Sequence, residues 1–139
     1  MSNHTLSCQI ITPVGIIYEN EKVDSATLNT ESGEVTILAG HIPYFASLNE
    51  GILVIRFGKD EEAFAIGSGY VQTDGKSLKI LASSGYGQKE IDENNIKEAI
   101  KSAEETIKSA PSEKERSEAL AVLRRSTLGL KLIKRKKIH

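Results

Sequence analysis

Several residue types that would define a function are scarce in this sequence. Cys8 is the single cysteine, which excludes an internal disulfide and a zinc site built on several thiolates. No apolar run approaches the roughly 20 residues that a membrane-spanning helix needs. The first residues also lack the basic start and apolar core of a signal peptide. We therefore expect a soluble protein that works inside a cell or an organelle.

Motifs of common enzyme sites are missing as well. The three histidines, His4, His41 and His139, are scattered, and no nucleophile elbow, HExxH, CxxC or Walker loop occurs. Gly67 and Gly69 form a GxG pattern, but it lies between two strand-like runs with no helix after it. The pattern favours glycines that permit a bulge or a close chain crossing over a phosphate-binding loop. The sequence predicts a chain that is not an enzyme and needs no metal or cofactor.

Charge and hydrophobic periodicity both change near residue 86. Residues 1–86 carry 5 basic and 10 acidic side chains, whereas residues 87–139 carry 13 basic and 9 acidic ones. The first part consists of nine short runs rich in β-branched and aromatic residues, each closed by Gly, Pro, Asn or Asp. Such runs predict an antiparallel β-sandwich or barrel of about nine to ten strands. Asp74-Gly75 is the clearest hairpin signal, because this dipeptide suits a tight turn.

The second part has helical periodicity. Apolar residues recur at three- and four-residue steps from about Asp92 to Ser109, and Pro111 interrupts the pattern. Ser112 and Glu115 have capping-box spacing and start a second helix. Its apolar side is expected to comprise Leu120, Leu123, Thr127, Leu130 and Ile133 or Lys134. The fold class is thus α+β, mainly β, with a β domain (1–86), a hinge near 83–90 and an antiparallel two-helix hairpin (87–139).

Residues 32–51 carry the most specific motif, a polar turn and a strand-like run followed by a Gly-His-x-Pro corner. This motif resembles the epsilon subunit of rotary F-type ATP synthases, which is homologous to the mitochondrial delta subunit. The family pattern is matched by seven residues, while Thr36 and Ala39 depart from it. The matching residues are Gly33, Glu34, Ile37, Gly40, His41, Pro43 and Gly51. The likeness continues through residues 67–82 and the charged helical tail.

The resemblance implies a non-catalytic rotor subunit of the central stalk. Such a subunit couples proton- or sodium-driven rotation of the c-ring to ATP synthesis and inhibits ATP hydrolysis through its C-terminal helices. Its partners would be the γ subunit, the c-ring and the α and β catalytic subunits, with no nucleic acid. The chain would reach the cytoplasmic face of an energy-transducing membrane, bacterial or the organellar equivalent, only through the complex.

Two positions in the β domain are candidates for rotor contacts. In family terms Glu34 matches a position facing the c-ring loops, and His41 a position near γ. From the residues alone, Glu34 is equally well a solvated turn residue. A histidine in a tight corner before Pro43 is also, on general grounds, more often a hydrogen-bonding turn residue. Both interpretations stay open at this point.

A nucleotide site is the next candidate. Many bacterial epsilon subunits bind ATP with the motif (Ile/Leu)-Asp-x-x-Arg-Ala at the first helix and arginines of the second helix. Ile91 and Asp92 match, but Asn95 and Ile96 replace the Arg and Ala. Positive charge for the polyphosphate would then have to come from Arg124 and Arg125 of the second helix, or from Lys89 and Lys97. The sequence favours Asp92 as a helix N-cap, and any ATP binding is expected to be weak.

The basic C-terminal end is the last candidate. Glu118 is the last acidic residue, and seven basic residues follow it. Such a run is by default a solvated helix face, and residues 87–139 offer no aromatic side chain for stacking on nucleic acid. The resemblance implies instead a contact with acidic segments of the catalytic subunits. The residues expected to make it are Arg124, Arg125, Lys131 and Lys134.

Two other classes of function remain as alternatives. The first is a small ATP-sensing protein, in which nucleotide binding to the hairpin is the main event. The second is an unrelated β-sandwich adaptor whose basic helix binds an acidic partner. Titration with ATP separates the first alternative from a rotor subunit, and co-purification with γ separates both from the second.

Overall fold

The computed structural model describes residues 5–41, 43–88, 92–109 and 112–138, with backbone alone for 136–138. Ten strands precede two helices. They are β1 (Leu6–Thr12), β2 (Gly15–Val23), β3 (Ser25–Thr30), β4 (Gly33–Leu38), β5 (Tyr44–Leu48), β6 (Gly51–Phe57), β7 (Asp60–Ile66), β8 (Gly69–Thr73), β9 (Ser77–Ala82), β10 (Gly85–Gly87), α1 (Glu93–Ser109) and α2 (Glu113–Ile138). The chain divides into two compact units, Met1–Gly87 and Gln88–His139.

The ten strands form one strongly bent sheet. Its order is β10-β7-β6-β3-β5-β8-β9-β1-β2, and β4 pairs with β3 beside this path. The pairs are antiparallel except for β1 with β9, which run parallel from Ser7 opposite Ser77 to Ile11 opposite Leu81. The predicted mainly antiparallel β-sandwich of nine to ten strands is therefore confirmed, with one parallel pair that the sequence did not indicate.

The core of the β unit is built from alternating positions of these strands. In β1, Leu6, Cys8 and Ile10 have no exposed surface, and β9 contributes Leu78 and Ile80 in the same way. Alternation arises because successive side chains of a strand point to opposite faces. At about 0.8 kcal/mol for each buried CH₂ group, this core is the main source of the unit's stability.

Two strand predictions differ in detail from the structure. The apolar run from Val23 to Leu28 has the pattern of one strand, but it is divided at Asp24, so Val23 ends β2 and Ser25 begins β3. The two strands do not pair with each other: β2 pairs with β1, and β3 pairs with β4, β5 and β6. The expected hinge at 83–90 also contains β10, whose Gly85 lies opposite Ile66 of β7.

Gly67 and Gly69 lie where two chain segments approach each other. A Cβ atom on Gly69 would lie 1.8 Å from the carbonyl oxygen of Leu81, and one on Gly67 would lie 2.3 Å from the Ser83 Oγ. No side chain fits at Gly69, where the obstacle is backbone, whereas at Gly67 the Ser83 hydroxyl would have to move. The close-crossing interpretation of the GxG pattern is therefore confirmed.

Both helices begin at the residues that the sequence indicates. The Asp92 carboxylate accepts hydrogen bonds from the backbone N–H groups of Asn94 at 2.9 Å and Asn95 at 3.4 Å. The Ser112 hydroxyl accepts one from the N–H of Glu115 at 3.1 Å. Side-chain acceptors of this kind satisfy the free donors of a first helical turn. No helix among the described residues is both long enough and apolar enough to cross a bilayer.

The buried face of α2 differs from the predicted one. Its buried side chains include Ala119, Ser126 and Leu132. Of the expected residues, Leu123, Leu130 and Ile133 are half-buried, whereas Leu120 is 42% exposed. The prediction chose the larger apolar residues as the packed side. Small residues occupy the packed side of α2 instead, because they let the two helix axes approach closely. Ala103 of α1 and Ala119 indeed line the same groove between the helices.

Cys8 supplies a pH-dependent test of the core. Burial raises the pKa of its thiol from 9.0 to about 12. A raised pKa means that the protonated thiol stabilises the fold below pH 9 and that this contribution is lost as the pH rises towards 12. We expect the stability advantage of the chain over Cys8→Ala to shrink by about 1.4 kcal/mol per pH unit from pH 9 to pH 11. Urea unfolding at several pH values measures it, and parallel pH curves would contradict it.

Candidate functional site

The outer face of strands β5, β8, β9, β1 and β2 carries an exposed band of apolar side chains. We call Phe45, Tyr70, Leu81, Ile11 and Ile16 the apolar band. Tyr70 lies opposite Leu81, Leu81 opposite Ile11, and Ile11 opposite Ile16 in the strand register. Phe45 stacks on Tyr70 with ring centroids 5.6 Å apart. Phe45 is 65% exposed and Tyr70 is 52% exposed.

Polar residues border the apolar band on the same sheet. The next row of outward positions joins Gln72, Lys79, Gln9 and Glu19 by strand register. The Gln9 amide donates a hydrogen bond to the Glu19 carboxylate. An apolar centre with a polar border is the arrangement of protein interfaces, since the border contributes orientation while the centre loses water.

The outer face of β4, β3 and β6 has the opposite character. The Thr27 and Thr36 hydroxyls lie 2.9 Å apart, and Arg56 donates to Thr27 Oγ1 at 3.2 Å. The Arg56 guanidinium is also paired with Glu61 at 3.5 Å. These groups are satisfied among themselves and exposed to solvent. This face also exposes Leu38 of β4, but that side chain has polar neighbours in register and does not extend into an apolar row.

His41 lies in a corner just after β4, and this corner packs against the β8–β9 turn. The backbone N–H of His41 donates to the Leu38 carbonyl at 3.1 Å, and the N–H of Gly40 donates to the Gly75 carbonyl at 2.9 Å. The His41 ring meets the Tyr44 ring edge-on with centroids 5.7 Å apart. His41 is thus a turn residue, and it is partly exposed beside the strand that carries Phe45.

The β8–β9 turn is itself tightly bonded. The Asp74 carboxylate accepts hydrogen bonds from the N–H groups of Ser77 and Lys76, both at 2.8 Å. These bonds, that of Ser77 first, lower the pKa of the Asp74 carboxyl. The Thr73 hydroxyl accepts from the Gly75 N–H at 3.0 Å and donates to the Ser77 carbonyl at 2.8 Å. The predicted Asp-Gly hairpin is therefore present and well ordered by its own side chains.

Glu34 lies at the other end of β4, roughly 20 Å from the corner at the usual rise per strand residue. Its side chain is exposed, and it pairs in register with Asn29. The turn before it is held by the Thr30 hydroxyl, which donates to the Gly33 carbonyl at 2.8 Å. The structure places Glu34 and His41 at opposite ends of one strand, so they belong to separate surfaces.

The basic candidates of α2 are all exposed. They are Arg124, Arg125, Lys131 and Lys134. At 100° per residue, Arg124 and Lys131 project on nearly the same side of the helix, roughly 140° to 160° from the buried Ser126. Arg125 and Lys134 flank that line on either side. Together the four side chains form a broad basic face of α2 that is centred opposite Ser126, with Arg125 beside the buried Leu132.

The nucleotide candidates are not gathered around a cavity in the described residues. Ile91 lies outside those residues, and the Asp92 carboxylate serves as the α1 cap. The groove between α1 and α2 has a volume of about 390 Å³. It is lined by small residues together with Glu115 and Glu118. Acidic side chains at its rim disfavour a polyphosphate.

Side chains that could ligate a metal are dispersed in the described part of the chain. Within residues 5–41, 43–88, 92–109 and 112–138, no three His, Cys, Asp or Glu side chains are grouped so as to hold an ion. The partner surfaces described above are the candidate sites that these residues offer.

A β-sandwich with one apolar outer face, followed by a helical hairpin with one basic face, defines a subunit that acts through protein contacts. Residues 5–87 match the family model of the ATP synthase Delta/Epsilon chain, beta-sandwich domain. The chain belongs to this ATP synthase delta/epsilon chain family. The resemblance inferred from residues 32–51 is confirmed.

Curated relatives agree with this assignment. The ATP synthase epsilon chain of Pediococcus pentosaceus is 31% identical over 129 residues, which cover 93% of this chain and 90% of the relative. That of Levilactobacillus brevis is 37% identical over 105 residues, covering 76% and 75%. That of Staphylococcus epidermidis is 36% identical over 101 residues, covering 73% and 75%. The similarity thus spans most of both chains.

Solved structures show the same fold at lower identity. A chain of the Euglena gracilis mitochondrial ATP synthase matches with a TM-score of 0.67 and 22% identity, covering 98% of this chain and 82% of that one. A chain of the Tetrahymena thermophila mitochondrial ATP synthase central stalk and c-ring matches with a TM-score of 0.53 and 18% identity. It covers 65% of this chain and 72% of that one.

Proposed function

We propose that this chain is the non-catalytic epsilon subunit in the central stalk of an F-type ATP synthase and that its β unit attaches to the γ subunit through the apolar band. The single observation that carries the attachment is the apolar band itself: Tyr70, Leu81, Ile11 and Ile16 are in register across four strands, and Phe45 of a fifth strand stacks on Tyr70 at 5.6 Å. The family membership supports the complex in which this attachment takes place.

The apolar band needs a protein partner for a physical reason. Scattered exposed apolar residues are normal, but a contiguous apolar patch bordered by polar groups marks an interaction site. Each large apolar side chain that leaves water contributes about 1.5–3 kcal/mol. Burial of the band would therefore favour association, and the affinity is what remains after the cost of association.

In the same proposal, Glu34 and His41 orient the β unit on the rotor. Glu34 faces the polar loops of the c-ring, and His41 contacts γ beside the apolar band. Their placement at opposite ends of β4 supports contacts with two different partners. Rotation driven by protons or sodium ions would then pass through packing and a few oriented polar groups. The chain would lie peripherally on the cytoplasmic face of the membrane, held there by the complex.

The hairpin acts in this proposal as a brake on ATP hydrolysis. The basic face of α2, with Arg124 and Arg125 first and Lys131 and Lys134 next, would meet acidic surface of the α and β catalytic subunits. The exposure of all four side chains supports this role. Opposite charges across such a surface steer association and fix its register.

Co-purification tests the proposed function. The chain is co-expressed with γ, and the mixture is separated by affinity capture and gel filtration. We expect an equimolar complex that survives dilution to micromolar concentration. If γ elutes alone while the chain is folded, the proposed function is wrong.

ATP binding is expected to be weak in this chain. Asn95 and Ile96 replace the Arg and Ala of the family motif, Asp92 is engaged as a cap, and Glu115 and Glu118 line the groove. We predict a dissociation constant in the millimolar range or above, which is about −4 kcal/mol or weaker. Isothermal titration measures it. A micromolar constant that Arg124→Ala plus Arg125→Ala abolishes would favour the ATP-sensing alternative.

A further inference from the structure

The corner that carries His41 packs against Gly75, a residue of the β8–β9 turn. The Gly75 carbonyl accepts the Gly40 N–H at 2.9 Å, and a Cβ on Gly75 would lie 2.6 Å from the His41 carbonyl oxygen. The φ angle of Gly75 is +94°, a backbone conformation that residues with side chains rarely adopt. Only glycine lets the two turns come this close.

We propose that Gly75 is a positioning residue for partner binding, because it sets where the His41 corner stands against the γ subunit. The inference rests on the proposed function, since γ is the partner that the corner would meet. Gly75 touches no partner in this proposal and acts through Gly40 and His41.

Hydrogen bonds within the β8–β9 turn fix the position of Gly75 and therefore that of the His41 corner. Thr73 Oγ1 accepts the Gly75 N–H at 3.0 Å and donates to the Ser77 carbonyl at 2.8 Å, and Thr73 is buried. Thr73 also pairs in register with Tyr44, whose ring meets the His41 ring. The turn and the corner are therefore joined both directly and through β5. A shift of the turn would move the corner with it.

Other glycines with positive φ lack this contact. Gly58, in the β6–β7 turn, has a φ of +61°, and a Cβ there meets no atom within 4 Å. Gly58→Ala therefore introduces backbone strain without displacing another turn. This difference makes it the matched control for Gly75→Ala.

The test is a double-mutant cycle on the affinity of the full chain for γ. We expect Gly75→Ala and His41→Ala each to weaken binding about tenfold, and the double variant to be no more than about twofold weaker than either one. Gly58→Ala should bind within about twofold of the unmodified chain. A purely structural defect would not depend on His41. Additive losses, or unchanged binding by folded Gly75→Ala, would overturn the inference.

A second pair of variants covers a failure of Gly75→Ala to fold. Thr73→Val removes the hydroxyl that holds the turn at nearly constant volume, whereas Thr73→Ser retains it. We expect weaker γ binding for the first variant and near-normal binding for the second. Equal binding by both would overturn the inference. Loss of γ binding by the unmodified chain would instead overturn the proposed function itself, which keeps the two failures distinct.

Discussion

Replacing Tyr70 by Asp is expected to lower the affinity of the chain for γ at least about 100-fold, a loss of about 2.7 kcal/mol or more. Tyr70 connects two members of the apolar band, because it stacks on Phe45 and lies opposite Leu81. A carboxylate at that position would have to lose its water against apolar neighbours when the complex forms. Surface plasmon resonance with immobilised γ measures the effect.

Two variants separate the loss of contact from a loss of folding. Tyr70→Phe keeps the ring and should bind within about threefold, because the ring and not the hydroxyl fills the band. Thr36→Asp places the same carboxylate on the polar face, where the Thr36 side chain is exposed, and should leave binding unchanged. All three should unfold at similar temperatures. Full binding by a folded Tyr70→Asp chain would show that γ attaches elsewhere.

Sequence patterns predicted the strands better than the faces that these strands expose. In β9, one of the short runs predicted as strands, Leu78, Ile80 and Ala82 alternate with outward positions and are buried. Leu81 falls on the outward phase of the same run and is 42% exposed. Because Leu81 stands between two other apolar residues, the sequence pattern alone does not distinguish it from a core residue. An apolar residue on the outward phase was the available signal for the apolar band.

The band as a whole depends on long-range register. Its five members come from five strands, and β1 joins β9 as a parallel pair in which Ser7 lies opposite Ser77, far away in the sequence. No local pattern specifies which residues become neighbours across such a pair. The same limitation applies to the contact of Gly75 with the His41 corner. Caps and tight turns, by contrast, were predictable because Asp74, Asp92 and Ser112 bond to residues within three positions.

In α2 the helix was predictable, whereas its buried side was not. Leu120 and Thr127 were expected to pack, yet both are exposed, and the buried positions include Ala119 and Ser126 one residue earlier. A rotation of one residue is about 100° around the helix axis. The spacing of the large apolar residues does not resolve such a rotation when small residues form the contact. The helix also continues through Gly129 to Ile138, although glycine costs about 1 kcal/mol within a helix.

Removing the hairpin is expected to raise ATP hydrolysis by the reconstituted motor at least about threefold, a change of about 0.65 kcal/mol in the barrier. The fragment ending at Gly87 contains all ten strands, and it is a compact unit with its own core, so it should fold and still bind γ. Arg124→Ala plus Arg125→Ala should release part of the inhibition. Hydrolysis assays with full-length chain, double variant and fragment measure the effect.

The matched control removes the same charge from a different part of the helix. Lys114 and Arg116 are exposed near the start of α2, so Lys114→Ala plus Arg116→Ala lowers the net charge equally. We expect this variant to inhibit like the unmodified chain, since the brake depends on where the charges lie. Inhibition should also weaken as salt rises from about 0.1 M to about 1 M, where the Debye length falls from about 10 Å to about 3 Å. Equal hydrolysis rates with the full-length chain, the Arg124/Arg125 variant and the fragment would rule out the brake, and equal effects of the two charge pairs would show that net charge and not a specific contact inhibits the motor.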